Sequence, residues 1–143
     1  MTVKQISVFV ENKPGKLAEL TSVLHEHEID MRALSIAEAE DFGVVRIIVN
    51  DSYETACVLK DAGYVLSVTP VLAAAIDDKP GALDSILDIL GEAGINLEYI
   101  YAFLGRVQGK AYMIMRVSDC DTAADILTKK GIRLYDQTDL ENL

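Results

Sequence analysis

The sequence predicts an α+β fold in which one β-α-β-β-α-β unit occurs twice. Three observations predict it: a segment that recurs 66 positions later, strand-like and helix-like hydrophobic periods in the same order in both copies, and a turn signal at each matching junction. This order of elements is the ferredoxin-like arrangement, an antiparallel sheet with both helices on one face. We therefore expect two such domains, residues 1–70 and 71–143, that share one eight-stranded antiparallel sheet.

The duplication is clearest at a Lys-Pro-Gly segment. Lys13-Pro14-Gly15 aligns with Lys79-Pro80-Gly81, and apolar positions on both sides of it align at the same spacing. These aligned pairs are Val10/Ile76, Leu17/Leu83, Leu20/Ile86, Leu24/Leu90 and Ile29/Ile95. We place Gly43 opposite Gly109 at that spacing and a gain of two residues after it. A chance tripeptide would not carry core positions with it, so the two copies fill the chain up to a short acidic tail, Gln137 to Leu143.

The first half of each copy is a strand followed by a helix. Ile6, Val8 and Val10 alternate with polar or outward positions, which is the period of a strand. Pro14 suits the first position of a helix, where its missing N–H is no loss. Helical spacing then follows in Leu17, Leu20 and Leu24, and in Leu83, Ile86, Leu87 and Leu90.

The second half of each copy adds a hairpin, a helix and a last strand. The hairpin strands are predicted at Met31–Ala39 and Val44–Val49, and in the second copy at Leu97–Leu104 and Tyr112–Val117. Asp51 and Glu54 form the pattern of a capping box, and Gly63, like Gly131, is the residue type that ends a helix. The last strands are predicted to begin at Tyr64 and Ile132.

Composition and charge exclude several classes of function. The formal charge is -10 and no cluster of basic residues occurs, so a polyanion such as nucleic acid would be repelled, and an anionic membrane surface likewise. The N-terminus lacks the pattern of a signal peptide, and no apolar run approaches the roughly 18 residues that span a bilayer. Cys57 and Cys120 stand far apart, which fits a reducing compartment where both are small buried hydrophobes. We expect a cytoplasmic protein.

Candidate catalytic groups are few. His25 and His27 are two residues apart on a helix and point in different directions, so they cannot share a metal ion and we interpret them as solvated. Asp77-Asp78 is better explained as a turn that caps the following helix than as a metal-binding pair. We expect no catalytic residue, no metal and no cofactor.

The two strand-to-helix turns are the candidate binding elements. A helix N-terminus attracts a carboxylate, and Gly15 or Gly81 would let a ligand approach the backbone. Asn12 or Asp78 offers an acceptor for an ammonium group. Together these are the halves of an α-amino-acid site, although Asn or Asp before Pro-Gly is also ordinary turn punctuation.

The residues around these turns resemble the signature of the ACT domain. The resemblance rests on Glu11 to Leu17 with Ile29-Asp30-Met31 downstream, and on Asp77 to Leu83 with Gly94 to Leu97 downstream. It covers both copies and implies amino-acid binding and regulation of amino-acid metabolism, with the ligand between the Pro-Gly turn of one domain and the strand after the first helix of its neighbour.

The resemblance carries over to six residues of this sequence, namely Asn12, Gly15, Asp78, Gly81, Asp30 and Asn96. Sites formed across the domain boundary would pair Asn12 with Asn96 and Asp78 with Asp30. Only the first pair is free of two adjacent negative charges, so we expect one good site in each chain. Val10 and Ile76 stand where serine-sensing members carry a histidine, which argues against serine as the ligand.

Edge pairing and an apolar sheet face predict an assembly. We expect Met31–Ala39 to run beside Leu97–Leu104, because exposed edges tend to be paired. The hairpin strands are apolar on both sides, as in Val44 with Val45 and Tyr112 with Met113, which predicts a homodimer through the sheet face.

The leading hypothesis is a non-catalytic sensor of a free amino acid or a regulatory subunit of a separate metabolic enzyme. The first alternative is an interaction module that has lost its ligand site. The second is a small enzyme, which would need a titratable group with a perturbed pKa in a pocket, and the sequence offers no obvious candidate.

Overall fold

The computed structural model describes all residues, Met1–Leu143, and they divide into two compact units. The first unit is Lys4–Thr69, and the second unit is Pro70–Leu143 together with Met1–Val3. The first six elements in chain order are β1 (Val3–Glu11), α1 (Lys16–Glu26), β2 (Met31–Glu38), β3 (Phe42–Val49), α2 (Ser52–Asp61) and β4 (Leu66–Asp77). They are followed by α3 (Ala82–Glu92), β5 (Leu97–Ala102), β6 (Lys110–Val117), α4 (Cys120–Lys129), β7 (Arg133–Tyr135) and α5 (Gln137–Glu141).

In the first unit, β3 lies between β1 and β2 in the sheet. It pairs antiparallel with β1, with Val8 opposite Val45, and with β2 on its other side, with Ile36 opposite Val45. The amide of Phe9 donates to the carbonyl of Val65 at 3.0 Å, which joins β1 to the residues that lead into β4. The repeated β-α-β-β-α-β order predicted from the sequence is therefore present here.

The second unit repeats this pairing. Strand β6 pairs antiparallel with β4 and with β5, and β4 also pairs with β7. Strand β4 thus ends one copy and begins the next, so the chain has seven strands rather than the eight that we expected.

Each unit has its own core between its sheet and its helices, because the strand faces and helix stripes that carry apolar residues meet there. Fully buried side chains from β1, α1, β3 and α2 form the first core, among them Ile6, Leu20, Ile47 and Leu59. The second core contains Leu72, Ile86, Met115 and Leu127.

The expected pairing of Met31–Ala39 with Leu97–Leu104 is wrong. Strand β2 has β3 as its hydrogen-bonded neighbour and β5 has β6, and neither of the two strands pairs with the other. Both are edge strands of their own unit. An unpaired edge favours some partner strand, but the edge alone does not determine which strand that is.

The position of the two-residue gain also differs from our expectation. Phe42 lies opposite Glu11, whereas Lys110 lies opposite Asp77, so the two copies are already offset by 68 at the start of β3 and β6. The extra residues therefore lie in the β5–β6 hairpin. Gly43 is a strand residue whose counterpart is Ala111, while Gly109 has a φ of 78° and belongs to the turn.

The acidic tail is an ordered element. Residues Gln137–Glu141 form α5, which begins with a reciprocal capping box between Asp136 and Asp139. Leu140 is fully buried. None of the five helices is long and apolar enough to cross a bilayer.

Candidate functional site

The two strand-to-helix turns have nearly the same backbone geometry. Gly15 has φ 82° and ψ -11°, and Gly81 has φ 88° and ψ -13°. These left-handed values favour glycine, and beyond the two adjacent residues no atom lies within 4 Å of where a Cβ would be at either position. Each glycine is the N-cap residue, so the helices begin at Lys16 and Ala82. The prediction that Pro14 is the first residue of its helix is therefore wrong.

These two helix N-termini lack a side-chain cap. Asp51, Asp119 and Asp136 cap the other three helices by accepting a bond from a backbone N–H of the first turn. No side chain does so at α1 or α3. The first N–H of each helix, at Lys16 and at Ala82, donates within the turn to the carbonyl of Lys13 and of Lys79 at 3.3 Å. The next first-turn N–H groups and the positive end of the helix dipole are available to an external acceptor such as a carboxylate.

Asn12 is held in place by the neighbouring hairpin. Its Nδ2 donates to the carbonyl of Ala39 at 3.1 Å, and its backbone N–H donates to Asp41 O at 2.9 Å. The Oδ1 atom remains as an acceptor that can face a ligand. Asn12 also lines a cavity of about 100 Å³ with Leu17 and Ile36.

Asp78 occupies the matching position in the second unit without a side-chain contact to the helix. Its backbone N–H donates to Gly109 O at 2.9 Å. The prediction that Asp77-Asp78 caps α3 is wrong, because α3 has no side-chain cap. Asp77 instead pairs with Lys110 at 2.6 Å and with Lys79 at 3.5 Å.

Asp30 and Asn96 each lie just before an edge strand, β2 or β5, and Asp30 is at the end of β2 that is far from Asn12. Asp30 precedes β2 with its Oδ2 atom 3.8 Å from Arg32 Nε, and Asn96 precedes β5 with its N–H bound to Ser118 Oγ at 3.1 Å. Eight residues of β2, roughly 26 Å at 3.3 Å per residue, separate Asp30 from the end where Asn12 is bound. Within one unit, then, the structure does not bring the turn residue and the downstream residue together.

Each unit has a groove of about 370 Å³ between the end of its first strand and the end of its second helix. We call the cavity in the first unit groove 1 and the cavity in the second unit groove 2. Groove 1 is lined by Phe9, Val10, Glu11, Lys16, Glu19, Phe42, Ala62, Gly63, Tyr64 and Val65. Groove 2 is lined by Ala75, Ile76, Asp77, Lys79, Ala82, Ser85, Ile89, Lys110, Lys130, Gly131 and Ile132. Neither groove was predicted from the sequence. At an offset of 68, Phe42 aligns with Lys110 and Ala62 with Lys130, and this exchange of residue type is the signal in the sequence that distinguishes the two grooves.

Ion pairs perturb the titration of groups beside both turns. The hydrogen bond from Lys110 and its charge lower the pKa of Asp77, with Lys79 adding to the effect, and Asp77 in return raises the pKa of Lys110. In the first unit, the hydrogen bond from Lys13 lowers the pKa of Glu11. These groups are solvent-exposed, so the pairs contribute little to the stability of the fold.

The remaining candidate side chains are isolated. No group of three or more His, Cys, Asp or Glu side chains is arranged to hold a metal ion. His25 and His27 are exposed, and His27 Nδ1 lies 2.9 Å from Val23 O. Cys57 is exposed and Cys120 is half-buried, so the interpretation of both as buried hydrophobes is wrong.

Residues 1–143 match the family described as ACT domain pair. This is a regulatory, non-catalytic type of domain. The structure is similar to protein BT0572 from Bacteroides thetaiotaomicron, with 37% identity, a TM-score of 0.92, and coverage of 100% of this chain and 98% of that chain. No curated protein sequence matches the chain.

Two more distant structures share the fold. The regulatory subunit of aspartate kinase from Thermus thermophilus, in its ligand-free form, is 15% identical with a TM-score of 0.65, over 88% of this chain and 90% of that chain. The corresponding subunit from Thermus flavus is 16% identical with a TM-score of 0.64, over 87% of this chain and 88% of that chain.

Proposed function

Since the chain belongs to the ACT domain pair family, we propose that it binds a free amino acid without catalysing a reaction. It would act as a sensor or as the regulatory subunit of a separate enzyme of amino-acid metabolism. The observation that carries the proposal is the pair of glycine N-caps at α1 and α3, where a helix N-terminus is left without a side-chain acceptor while every other helix has one. The fold neighbours named as regulatory subunits of aspartate kinase support the regulatory part.

The proposed recognition uses both ends of the amino acid. The ligand carboxylate would accept bonds from the first-turn N–H groups of α1, which Gly15 leaves open to approach. The ligand ammonium would donate to Asn12 Oδ1, and Asn96 from a neighbouring domain would complete the site. Asn12 and Asn96 are neutral, so this set does not repel either charged end of the ligand.

The matching set in the other copy is chemically different. Asp78 and Asp30 would place two carboxylates beside the ligand, with Gly81 at the helix N-terminus. Two negative charges in one site repel the ligand carboxylate. We therefore propose one strong site per chain, at Asn12, Gly15 and Asn96.

A second copy of the chain is the proposed source of the neighbouring domain. Strands β2 and β5 each have an unpaired edge, and on β2 the side chains of Leu34 and Ile36 are 38% and 48% exposed. We expected an exposed apolar sheet face that a second chain would cover. Ile48 and Ile114 of that face are already fully buried in a single chain, so they offer no apolar surface to a partner. A homodimer through edge strands in the cytoplasm is the proposal that remains.

A thermal-shift screen against the common amino acids tests the function. One of them should raise the melting temperature, because a ligand that binds only the native state stabilises it. A chain that responds to none of them would be the ligand-free interaction module instead.

Calorimetry with the identified amino acid then tests the site. Gly15→Asp should abolish binding because it adds bulk and negative charge at the carboxylate position, whereas Gly63→Asp, at a glycine with a similar φ of 93°, should retain it. Asn96→Asp should weaken binding by about tenfold or more and Asp30→Asn should not, because only the former adds a charge to the proposed site. Normal binding by a folded Gly15→Asp variant, or two equal sites in each chain, would refute this assignment.

A further inference from the structure

Groove 2 concentrates positive charge in an otherwise acidic chain. The protein has 13 basic and 23 acidic residues, yet groove 2 is lined by Lys79, Lys110 and Lys130 against a single carboxylate, Asp77. Two positive charges therefore remain uncompensated in one cavity. Groove 2 therefore has a net positive charge within a chain whose net charge is -10, and it would attract a small anion.

The counterpart in the first unit shows that the backbone does not require these lysines. Phe42 in groove 1 occupies the position of Lys110, since each lies opposite the last residue of the first strand. Ala62 occupies the position of Lys130, one residue before the glycine that follows the helix. Groove 1 instead carries Glu11 and Glu19 with a single lysine, so its net charge is negative.

The three lysines differ in their present partners. Asp77 holds Lys110 at 2.6 Å and Lys79 at 3.5 Å, and no ion pair involves Lys130. Asp77 thus pairs with Lys79 and Lys110, while Lys130 is the C-cap residue of α4. Lys110 lies on β6 and Lys130 precedes β7, and these strands flank β4 on opposite sides, so the two lysines line opposite walls of groove 2. A ligand between the walls would meet ammonium groups from both sides.

The remaining lining suits an organic body attached to the anion. Ile76, Ala82 and Ile132 supply apolar surface, and Ser85 supplies a hydroxyl. A volume of about 370 Å³ falls within the range of sites for small molecules. Lysine binds phosphate as a point charge without demanding a planar, bidentate partner.

We propose that groove 2 binds a small phosphate-bearing metabolite between Lys130 on one wall and Lys110 and Lys79 on the other. This is a second site, which goes beyond the proposed amino-acid function and uses none of Asn12, Gly15 or Asn96. It gives one copy of the duplicated unit a ligand class that the other copy cannot accept.

The test is a titration with inorganic phosphate and pyrophosphate, followed through backbone amide shifts in two-dimensional NMR spectra. The amides of Ser85 and Gly131 should move on titration, and those of Glu19 and Gly63 in groove 1 should not. Pyrophosphate should bind more tightly than phosphate, and both should weaken as salt is raised toward about 0.3 M, since exposed charges are screened.

Two lysine variants localise the effect. Lys130→Ala, which installs the first-unit residue, should weaken pyrophosphate binding by about fivefold. Lys129→Ala changes the net charge equally but removes a residue outside the groove, and it should bind normally. Gly15→Asp should also bind normally, which separates this site from the amino-acid site.

Three results would overturn the proposal. They are equal shifts in both grooves, equal losses in the two lysine variants, and tighter binding of succinate than of pyrophosphate, which would assign groove 2 to dicarboxylates.

Discussion

The two grooves share a backbone and differ in chemistry. Groove 1 has Phe42 and Ala62 where groove 2 has Lys110 and Lys130, although strand register, helix ends and volume match. The residues common to both copies are those that the backbone needs, such as the N-cap glycines and the N-cap aspartates of α2 and α4. The duplicated backbone thus constrains the residues of the turns and the cores, whereas the residues that line the grooves differ in charge between the copies.

A second difference lies at the C-terminus, where only the second unit carries an extra helix. Leu140 of α5 is fully buried, so Leu140→Ala should destabilise the chain by about 2 kcal/mol, near the low end for such truncations because a terminal helix can relax. Urea unfolding measures this loss. Thr138→Ala, on an exposed residue of the same helix, should change stability by less than about 0.5 kcal/mol. If both substitutions changed the free energy of unfolding by the same small amount, the burial of Leu140 would not contribute to the stability of the second unit.

Local chemistry explains which features were predictable from the sequence. Asp51 three residues before Glu54 predicted a helix start, and the structure confirms it with a bond from the Glu54 N–H to Asp51 Oδ1 at 2.9 Å. Gly63 and Gly131 were predicted to follow helix ends, and both do so with positive φ. Each of these signals depends on contacts within a few residues, so no tertiary information is needed.

The errors share the opposite property. Placing Gly43 opposite Gly109 matched residue type, but only the register across the sheet shows that one lies in a strand and the other in a turn. The partner of an edge strand and the burial of Leu140 depend on distant residues in the same way. The groove lysines were missed because each is far in sequence from the others. Their shared cavity exists only after folding.

A glycine comparison within the second unit should give effects of opposite sign. Gly81→Ala places a Cβ on a residue with φ 88° and should cost about 1 kcal/mol, whereas Gly91→Ala lies within α3 and should gain about 0.5 kcal/mol by restricting the unfolded chain. The first copy already has His25 where the second has Gly91. Thermal unfolding of both variants measures the signs, and a stabilising Gly81→Ala would contradict the left-handed turn.

The smallest expected effect concerns the ion pairs beside the two turns. Glu11 pairs with Lys13 within its own turn at 2.9 Å, whereas Asp77 pairs across strands with Lys110 at 2.6 Å. Both pairs lower the carboxyl pKa, so each contribution to stability is present above the ordinary pKa near 4 and is lost as the pH falls through the lowered value.

Carboxyl titration by NMR tests this difference between the copies. Lys110→Phe, which installs the first-unit residue, should raise the pKa of Asp77 only part of the way to its ordinary value, because Lys79 remains at 3.5 Å. Lys13→Met should raise the pKa of Glu11 more completely, since Lys16 acts on Glu11 only through its charge. Neither variant should shift the melting temperature at neutral pH noticeably, as exposed pairs contribute little. If Lys110→Phe left the pKa of Asp77 unmoved, the cross-strand pair would not form in solution, and one wall of groove 2 would lose the contact that fixes its lysines.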